Sequence, residues 1–192
     1  ERFRSDSLMF MGMKMAQLTS IAFFAVGLIG MLGLFRKLFK QKPVILFDFD
    51  QTLADTQGVI FATYDAIFKK YLPDYQLTQE EKTSLLGPTL QETFEKYPFK
   101  EDVTELIKEY RDLNFKLQKD YIKPLQEAVE LLAQLKAEGY KLGIVSNKFT
   151  DGVEFGLDLT GMSPYIDVII GLDKVTDPKP APEGIRKAVI AL

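Results

Sequence analysis

Residues 43–56 read PVILFDFDQTLADT, and the fold turns on this stretch. From Pro43 to Phe49 it is a short apolar run ending in acids. A run this short, with no polar alternation, is a strand buried on both faces, the kind found in parallel sheets. Two more such runs follow, Tyr140–Val145 (YKLGIV) and Asp167–Gly171 (DVIIG). Each strand is followed by a helical pattern, which predicts a parallel sheet with right-handed crossovers. The expected class is α/β, with a Rossmann-like parallel sheet.

The chain between the first and second strands is too long for one crossover helix. Helical periodicity runs from about Thr56 to Leu72 and ends near Pro73. Thr78-x-x-Glu81 and Thr89-x-x-Glu92 are capping boxes that open two further helices. Asp102–Lys119 reads as a longer amphipathic helix. An inserted α-helical cap over residues 55–122 is therefore expected, with 43–54 and 123–192 as the core. In that core, Pro124 opens a helix that Gly139 closes. Another helix runs from about Asp151 to Leu159, and Pro182 starts the last one.

In open parallel sheets the ligand site lies at the carboxyl ends of the strands. The first strand ends in Asp48-Phe49-Asp50-Gln51-Thr52 and the second in Ser146-Asn147-Lys148; the third is followed by Asp177-Pro178-Lys179-Pro180-Ala181-Pro182. Two close, ionised Asp repel each other. A divalent cation relieves this, and oxygen donors at a strand end suit Mg²⁺, which keeps waters and takes substrate phosphate. An Asp can also be a nucleophile that forms an aspartyl-phosphate, while a hydroxyl and a lysine neutralise phosphoryl oxygens. The chain has no Cys, His or Trp. That excludes disulfides, thiolate catalysis, Ser-His-Asp triads and His-ligated metals. Taken singly, Ser146-Asn147 also reads as a helix N-cap and Lys179 as a solvated lysine. Asp55, Asp173 and Asp177 read as turn and cap residues, and Lys96–Asp120 as a solvated helix face.

FDFDQTLADT, Ser146-Asn147 and KPAP, each after a strand and in this order, resemble the first three motifs of the haloacid dehalogenase-like (HAD) phosphohydrolase superfamily, over residues 43–192. The resemblance implies Asp48 as nucleophile and Mg²⁺ ligand. It implies Asp50 as general acid/base that also gives a backbone carbonyl to the metal, with Thr52 supporting the loop. Ser146, with Asn147 beside it, would hold the phosphoryl group, and Lys179 would bridge nucleophile and phosphate. Leu86–Phe94 (LGPTLQETF) is similar to the cap of the phosphoglycolate phosphatase and bacterial pyrophosphatase branch, which closes over small phosphorylated substrates. There Gly87 and Pro88 form a turn near the site; a plain helix–helix turn is the alternative. Gln51 stands where that family usually has Gly, and is expected only to stiffen the turn. The family's fourth motif, an acidic pair that supplies the last metal ligand, does not occur by Leu192. This implies a longer gene product, and weak metal binding with little or no turnover for the chain as it stands.

Residues 1–42 differ in kind, with seven basic and two acidic residues against 17 basic and 25 acidic in the remainder. An acidic body argues against a nucleic-acid partner. Met15 to Phe35 carries no charge. At 1.5 Å per residue it spans about 31 Å, the hydrocarbon thickness of a bilayer. Lys14 precedes it, and Arg36, Lys37, Lys40 and Lys42 follow, which puts the body on the cytoplasmic side. A cleaved signal peptide carries its charge on the other flank. One transmembrane helix over residues 15–35, held by membrane lipid in a bacterial-type inner membrane, is expected. Residues 1–35, through Glu1, Arg4-Ser5-Asp6-Ser7-Leu8 and the span, resemble the C-terminal transmembrane end of prolipoprotein diacylglyceryl transferase. That likeness implies that Arg4 matches an arginine near the transferase's active site. A generic anchor with basic flanks accounts for the same residues.

Together these features describe a membrane-tethered, Mg²⁺-dependent phosphohydrolase. It would act on a small phosphomonoester, phosphoglycolate-like, or on pyrophosphate, through an aspartyl-phosphate on Asp48. Two alternatives stay open. One is the tail of a prolipoprotein diacylglyceryl transferase fused to an accessory, inactive HAD-like domain. The other is an anchored module that binds phosphate without turnover.

Overall fold

The computed structural model describes residues 9–10, 13–14, 26–28, 30 and 43–192. The chain divides into two units, Glu1–Gln41 and Lys42–Leu192. In the first, strands β1 (Met9–Phe10) and β2 (Met13–Lys14) pair antiparallel. Residues 26–28 and 30 are helical and exposed. The rest of the expected span over 15–35, and the residues before it that resemble the transferase, lie outside the described residues. Among the described residues, no helix is long and apolar enough to cross a membrane.

The second unit opens with β3 (Val44–Phe47) and a short β4 (Ala54–Asp55). Four helices follow: α1 (Gln57–Tyr71), α2 (Gln79–Ser84), α3 (Leu90–Lys96) and α4 (Val103–Tyr121). Then come β5 (Lys123–Pro124), α5 (Ala128–Ala137), β6 (Lys141–Val145), α6 (Thr150–Thr160), β7 (Val168–Ile170) and α7 (Glu183–Ala191). The sheet order is β3-β6-β7, all parallel, with Ile45 beside Leu142 and Ile144 beside Ile169. All three expected strands form, each shorter than expected: Pro43, Asp48 and Phe49 fall outside the first, Tyr140 outside the second, and Asp167 and Gly171 outside the third.

Both capping boxes form. The Glu81 and Glu92 N–H groups donate to the Thr78 and Thr89 hydroxyls at 3.2 Å, and each Glu carboxylate accepts the Thr N–H in return at 2.8 Å. Gly139 and Gly161 end α5 and α6 at φ +85° and +72°, where a side chain would be strained.

The helix expected from Pro124 begins later, at Ala128. Pro124 instead pairs with Ala54 in the two-residue β4–β5 ladder, and the Leu125 N–H donates to the Leu53 carbonyl at 2.9 Å. On such an edge the missing proline N–H costs nothing. Glu127 then turns the chain at φ +63° before the helix can start.

Apolar side chains gather in two main clusters. Phe49, Leu132, Leu142, Ile144, Val153 and Leu157 join the sheet to α5 and α6. Tyr64, Phe68, Phe94 and Leu106 belong to a second cluster, made wholly by the segment inserted between β4 and β5. Each fully buried side chain of this size stabilises by about 1.5–3 kcal/mol, so each cluster holds its own set of elements. The carboxyl ends of β3 and β6 face the helical insertion across a cleft.

Candidate active site

The turn after β3 is built around one carbonyl. Phe49, wholly buried, accepts through its oxygen from the N–H groups of Thr52, Leu53 and Ala54 at 3.0–3.3 Å. That winds Asp50-Gln51-Thr52 tightly and sets Asp48 and Asp50 on either side of a buried anchor. Gln51 takes φ +58°, a conformation that costs an L-residue about 1–2 kcal/mol. With its amide oxygen turned to α1, Gln51 accepts from the Thr56 and Gln57 N–H groups at 2.8 and 2.7 Å. Thr56, the N-cap residue, makes no side-chain cap bond of its own. Gln51 therefore does more than stiffen the turn: it caps the first helix of the insertion, which helps to offset the backbone strain.

Each aspartate has its own cation. Lys179 Nζ lies 2.7 Å from Asp48 Oδ2, and Lys148 Nζ lies 3.2 Å from Asp50 Oδ1. The repulsion expected between the two carboxylates is met by these lysines. The Phe49 N–H also donates to Asp48 Oδ1 at 2.7 Å. Ser146, at the end of β6 and 5% exposed, accepts from the Lys148 N–H through its hydroxyl oxygen at 3.1 Å. It is not a helix cap. The N-terminus of α6 is covered from outside, by Asp173 accepting the Thr150 N–H at 2.7 Å. Asp55 likewise accepts the Gln57 N–H at the start of α1.

Asn147 ties three loops together. Its Nδ2 donates to the Gly87 carbonyl at 3.1 Å and to the Lys179 carbonyl at 3.2 Å, while its Oδ1 accepts the Lys179 N–H at 2.9 Å. Gly87, at φ +105°, is thus held against the core loops, so its turn is more than a helix–helix connection.

A cleft of about 260 Å³ joins these groups, with Asp48, Asp50, Ser146, Asn147, Lys179 and Gly87 in its walls. Thr52 is the one expected site residue outside it. Its side chain is exposed on the turn, and its N–H to Phe49 is its contribution to the loop. The far wall comes from the insertion and includes Tyr64, Tyr110, Arg111, Asn114 and Phe115. Burial, then Tyr64, then Asp50 push the Tyr110 hydroxyl well above its ordinary pKa, so it stays neutral. Arg111 and Asn114 were hidden in a helix read as a solvated face. Lys148 was visible beside Ser146 in the sequence, but nothing there assigned it to Asp50.

A family model for the haloacid dehalogenase-like hydrolases matches residues 45–192. The chain belongs to the haloacid dehalogenase-like hydrolase family. Pyrophosphatase PpaX of Listeria monocytogenes is 40% identical over 149 residues, covering 77% of this chain and 68% of the relative. Pyrophosphatase PpaX of Bacillus velezensis is 39% identical over 153 residues, covering 80% and 70%. A solved haloacid dehalogenase-like hydrolase of Bacteroides fragilis superposes with a TM-score of 0.70 at 26% identity, over 78% of this chain and 72% of that one. The chain is a hydrolase of this family, with relatives among its phosphatases and pyrophosphatases. The match starts at residue 45, so it lends no support to the transferase resemblance of residues 1–35.

Proposed function

We propose that this HAD-family hydrolase cleaves a small phosphomonoester of the phosphoglycolate kind, or pyrophosphate, through a phosphoryl-enzyme formed on Asp48. The observation that carries this is the pairing of Asp48 with Lys179 at 2.7 Å in a cleft shared with Ser146 and Asp50. Lys179 offsets the charge of the carboxylate, so a phosphoryl dianion can approach it. An Asp48 oxygen attacks phosphorus, and the bond to the leaving oxygen breaks. Asp50 gives that oxygen a proton, then takes one from the water that attacks the phosphoryl-aspartate. The Ser146 hydroxyl, whose oxygen already accepts from Lys148, has its hydrogen free for a phosphoryl oxygen. Lys148 orients Asp50, and Asn147 holds the Lys179 backbone in place. The helical insertion serves as the cap over the substrate. The PpaX relatives favour pyrophosphate as the first compound to test.

The donor set fits Mg²⁺. Asp48 contributes a carboxylate and Asp50 a backbone carbonyl, both hard oxygens. No group of three acidic or other metal-binding side chains occurs among the described residues, and Mg²⁺ needs none, since it binds through one or two carboxylates plus water and substrate phosphate. Bound there, the ion would neutralise charge on the transferring group. Residues 15–35 would tether this body to a bacterial inner membrane, with residues from 43 onward in the cytoplasm. The charge-free run and the four basic residues after it support this.

Rapidly quenched full-length protein, carried past Leu192, digested and weighed by mass spectrometry, is expected to carry a phosphoryl adduct on the peptide containing Asp48. Asp48→Asn is expected to abolish both adduct and hydrolysis. Near-normal hydrolysis by Asp48→Asn would replace covalent catalysis with direct attack by water.

A further inference from the structure

The mechanism above uses only the sheet side of the cleft. The opposite wall has a chemistry of its own. Of the lining residues contributed by the insertion, Arg111 alone is charged. Arg111, Asn114 and Phe115 are spaced three and four residues apart on α4, which puts them on one side of the helix. The Arg111 guanidinium lies over the Phe149 ring, 4.0 Å from its centroid, and donates through Nη2 to Asp151 Oδ2 at 2.5 Å. A guanidinium has five N–H donors, so this bond uses one. Asn114 is 5% exposed. Its Nδ2 donates to Thr63 Oγ1 at 3.2 Å and its Oδ1 accepts from Gln118 Nε2 at 3.0 Å, which leaves one amide N–H for the cleft.

The partner that holds Arg111 is easily displaced. The Arg111 and Asp151 side chains are 31% and 55% exposed, and an ion pair so wet contributes little. Asp151 can return to water while its Oδ1 keeps the Gly152 N–H at 2.7 Å. The Phe149 ring would still hold the guanidinium plane.

We infer that Arg111 determines specificity by reading an anionic leaving group. Resting on the hydrolase reading above, the preferred substrate is a phosphoester or phosphoanhydride whose departing half itself carries a carboxylate or phosphate. That anion replaces Asp151 on Arg111 and takes the spare N–H of Asn114. A neutral leaving group leaves Arg111 with Asp151 and gains nothing from it.

The test compares kcat/KM for pyrophosphate with kcat/KM for phenyl phosphate, whose leaving group has no second anion. Arg111→Gln is expected to lower the ratio by about 10- to 100-fold, the worth of a hydrogen bond to a charged group. Arg111→Lys keeps the charge without the planar fork, so a smaller fall is expected. Asp151→Asn removes the competitor and is expected to raise the ratio by about two- to five-fold. In an Asp48→Asn background, calorimetry is expected to show the same order for methylenediphosphonate relative to orthophosphate. If Arg111→Gln lowers both substrates alike, Arg111 only ties α4 to α6 and the inference falls. If the full-length protein, carried past Leu192, turns over neither compound, the hydrolase reading falls, and the binding ratio still decides the role of Arg111.

Discussion

Gly171→Ala tests how the sheet positions the site. Gly171 follows β7 with φ −87°, so alanine suits its backbone. The obstacle is packing. A Cβ there would lie 2.4 Å from the Thr150 nitrogen and 2.8 Å from the Lys148 carbonyl oxygen. Both are backbone atoms, and no rotamer change relieves them. Ordinary contact begins near 3.4 Å, so the 148–150 loop must retreat by about 1 Å. That retreat strains two bonds, Leu172 N–H to the Lys148 carbonyl at 3.0 Å and Thr150 N–H to Asp173 at 2.7 Å. A neutral and a charge-assisted hydrogen bond are together worth about 2–4 kcal/mol. Reduced freedom of the unfolded chain returns about 0.4–1 kcal/mol. A net loss of about 2–3 kcal/mol is expected, which is a fall in Tm of about 5–10 °C for a domain of this size. Urea and thermal unfolding measure it. Turnover should fall too, because Lys148 is carried away from Asp50. Gly161→Ala is the control: with nothing within 4 Å and φ +72°, it pays only the left-handed strain of about 1–2 kcal/mol, less the same return of about 0.4–1 kcal/mol from the unfolded chain. A Gly171→Ala variant within 0.5 kcal/mol of the parent, or one less damaged than Gly161→Ala, would refute the reasoning.

Asp50→Asn should keep the nucleophile and slow turnover by about 10²–10⁴-fold with little change in KM; equal loss in both parameters would give Asp50 a binding role instead. In the full-length protein, carried past Leu192, chelation of divalent metal should stop hydrolysis, and Mg²⁺ should restore it better than Ca²⁺, which wants more ligands; undiminished activity in chelator would count against the donor set. Asp167 is pulled two ways: burial opposes its ionisation, but bonds from Lys136, the Leu142 N–H and Lys141 hold its carboxyl below the usual 3.8. Its folded pKa is thus below its unfolded one, so its contribution is present above about pH 3.8 and fades as the pH drops through the lower value. Asp167→Asn should therefore destabilise by about 1–3 kcal/mol at pH 7, with the gap to the parent closing below pH 3.8 in denaturant titrations. Protease added outside intact cells should leave residues from 43 onward uncut; cleavage there would overturn the proposed topology.

The sheet was legible because its signals are local. VILF, KLGIV and VII are short, mostly apolar runs closed off by polar or turn-forming residues, Asp48, Ser146 and Gly171, and the helical pattern after each makes them parallel. The two Thr-x-x-Glu boxes were legible for the same reason, since donor and acceptor sit three residues apart. Pro124 misled because its partner, Ala54, is remote in sequence and supplies an edge where proline is harmless. Gln51 misled because its helix-capping amide matters only once the turn has formed. The far wall of the cleft was illegible for a different reason. Periodicity says that α4 has a buried stripe, including Leu106, Tyr110, Asn114 and Gln118, but not that the margin of that stripe faces a cavity. Arg111 looks like any solvated arginine until Phe149 and Asp151 are brought beneath it.

The ladder between β4 and β5 has a meaning beyond its four residues. Ala54 faces Pro124 and Asp55 faces Lys123, so the helical insertion leaves and re-enters the core at neighbouring points. To the core, the whole insertion is a hairpin loop, and the entropy of closing a loop grows only with the logarithm of its length. Helices can then be gained, shortened or exchanged along a lineage without displacing Asp48 or Ser146. Substrate choice can drift while the reaction chemistry stays fixed. For anyone grafting a different lid onto this scaffold, the junction at 53–55 and 123–125 is the part to leave alone, and a new lid need only restore a carbonyl where Gly87 meets Asn147.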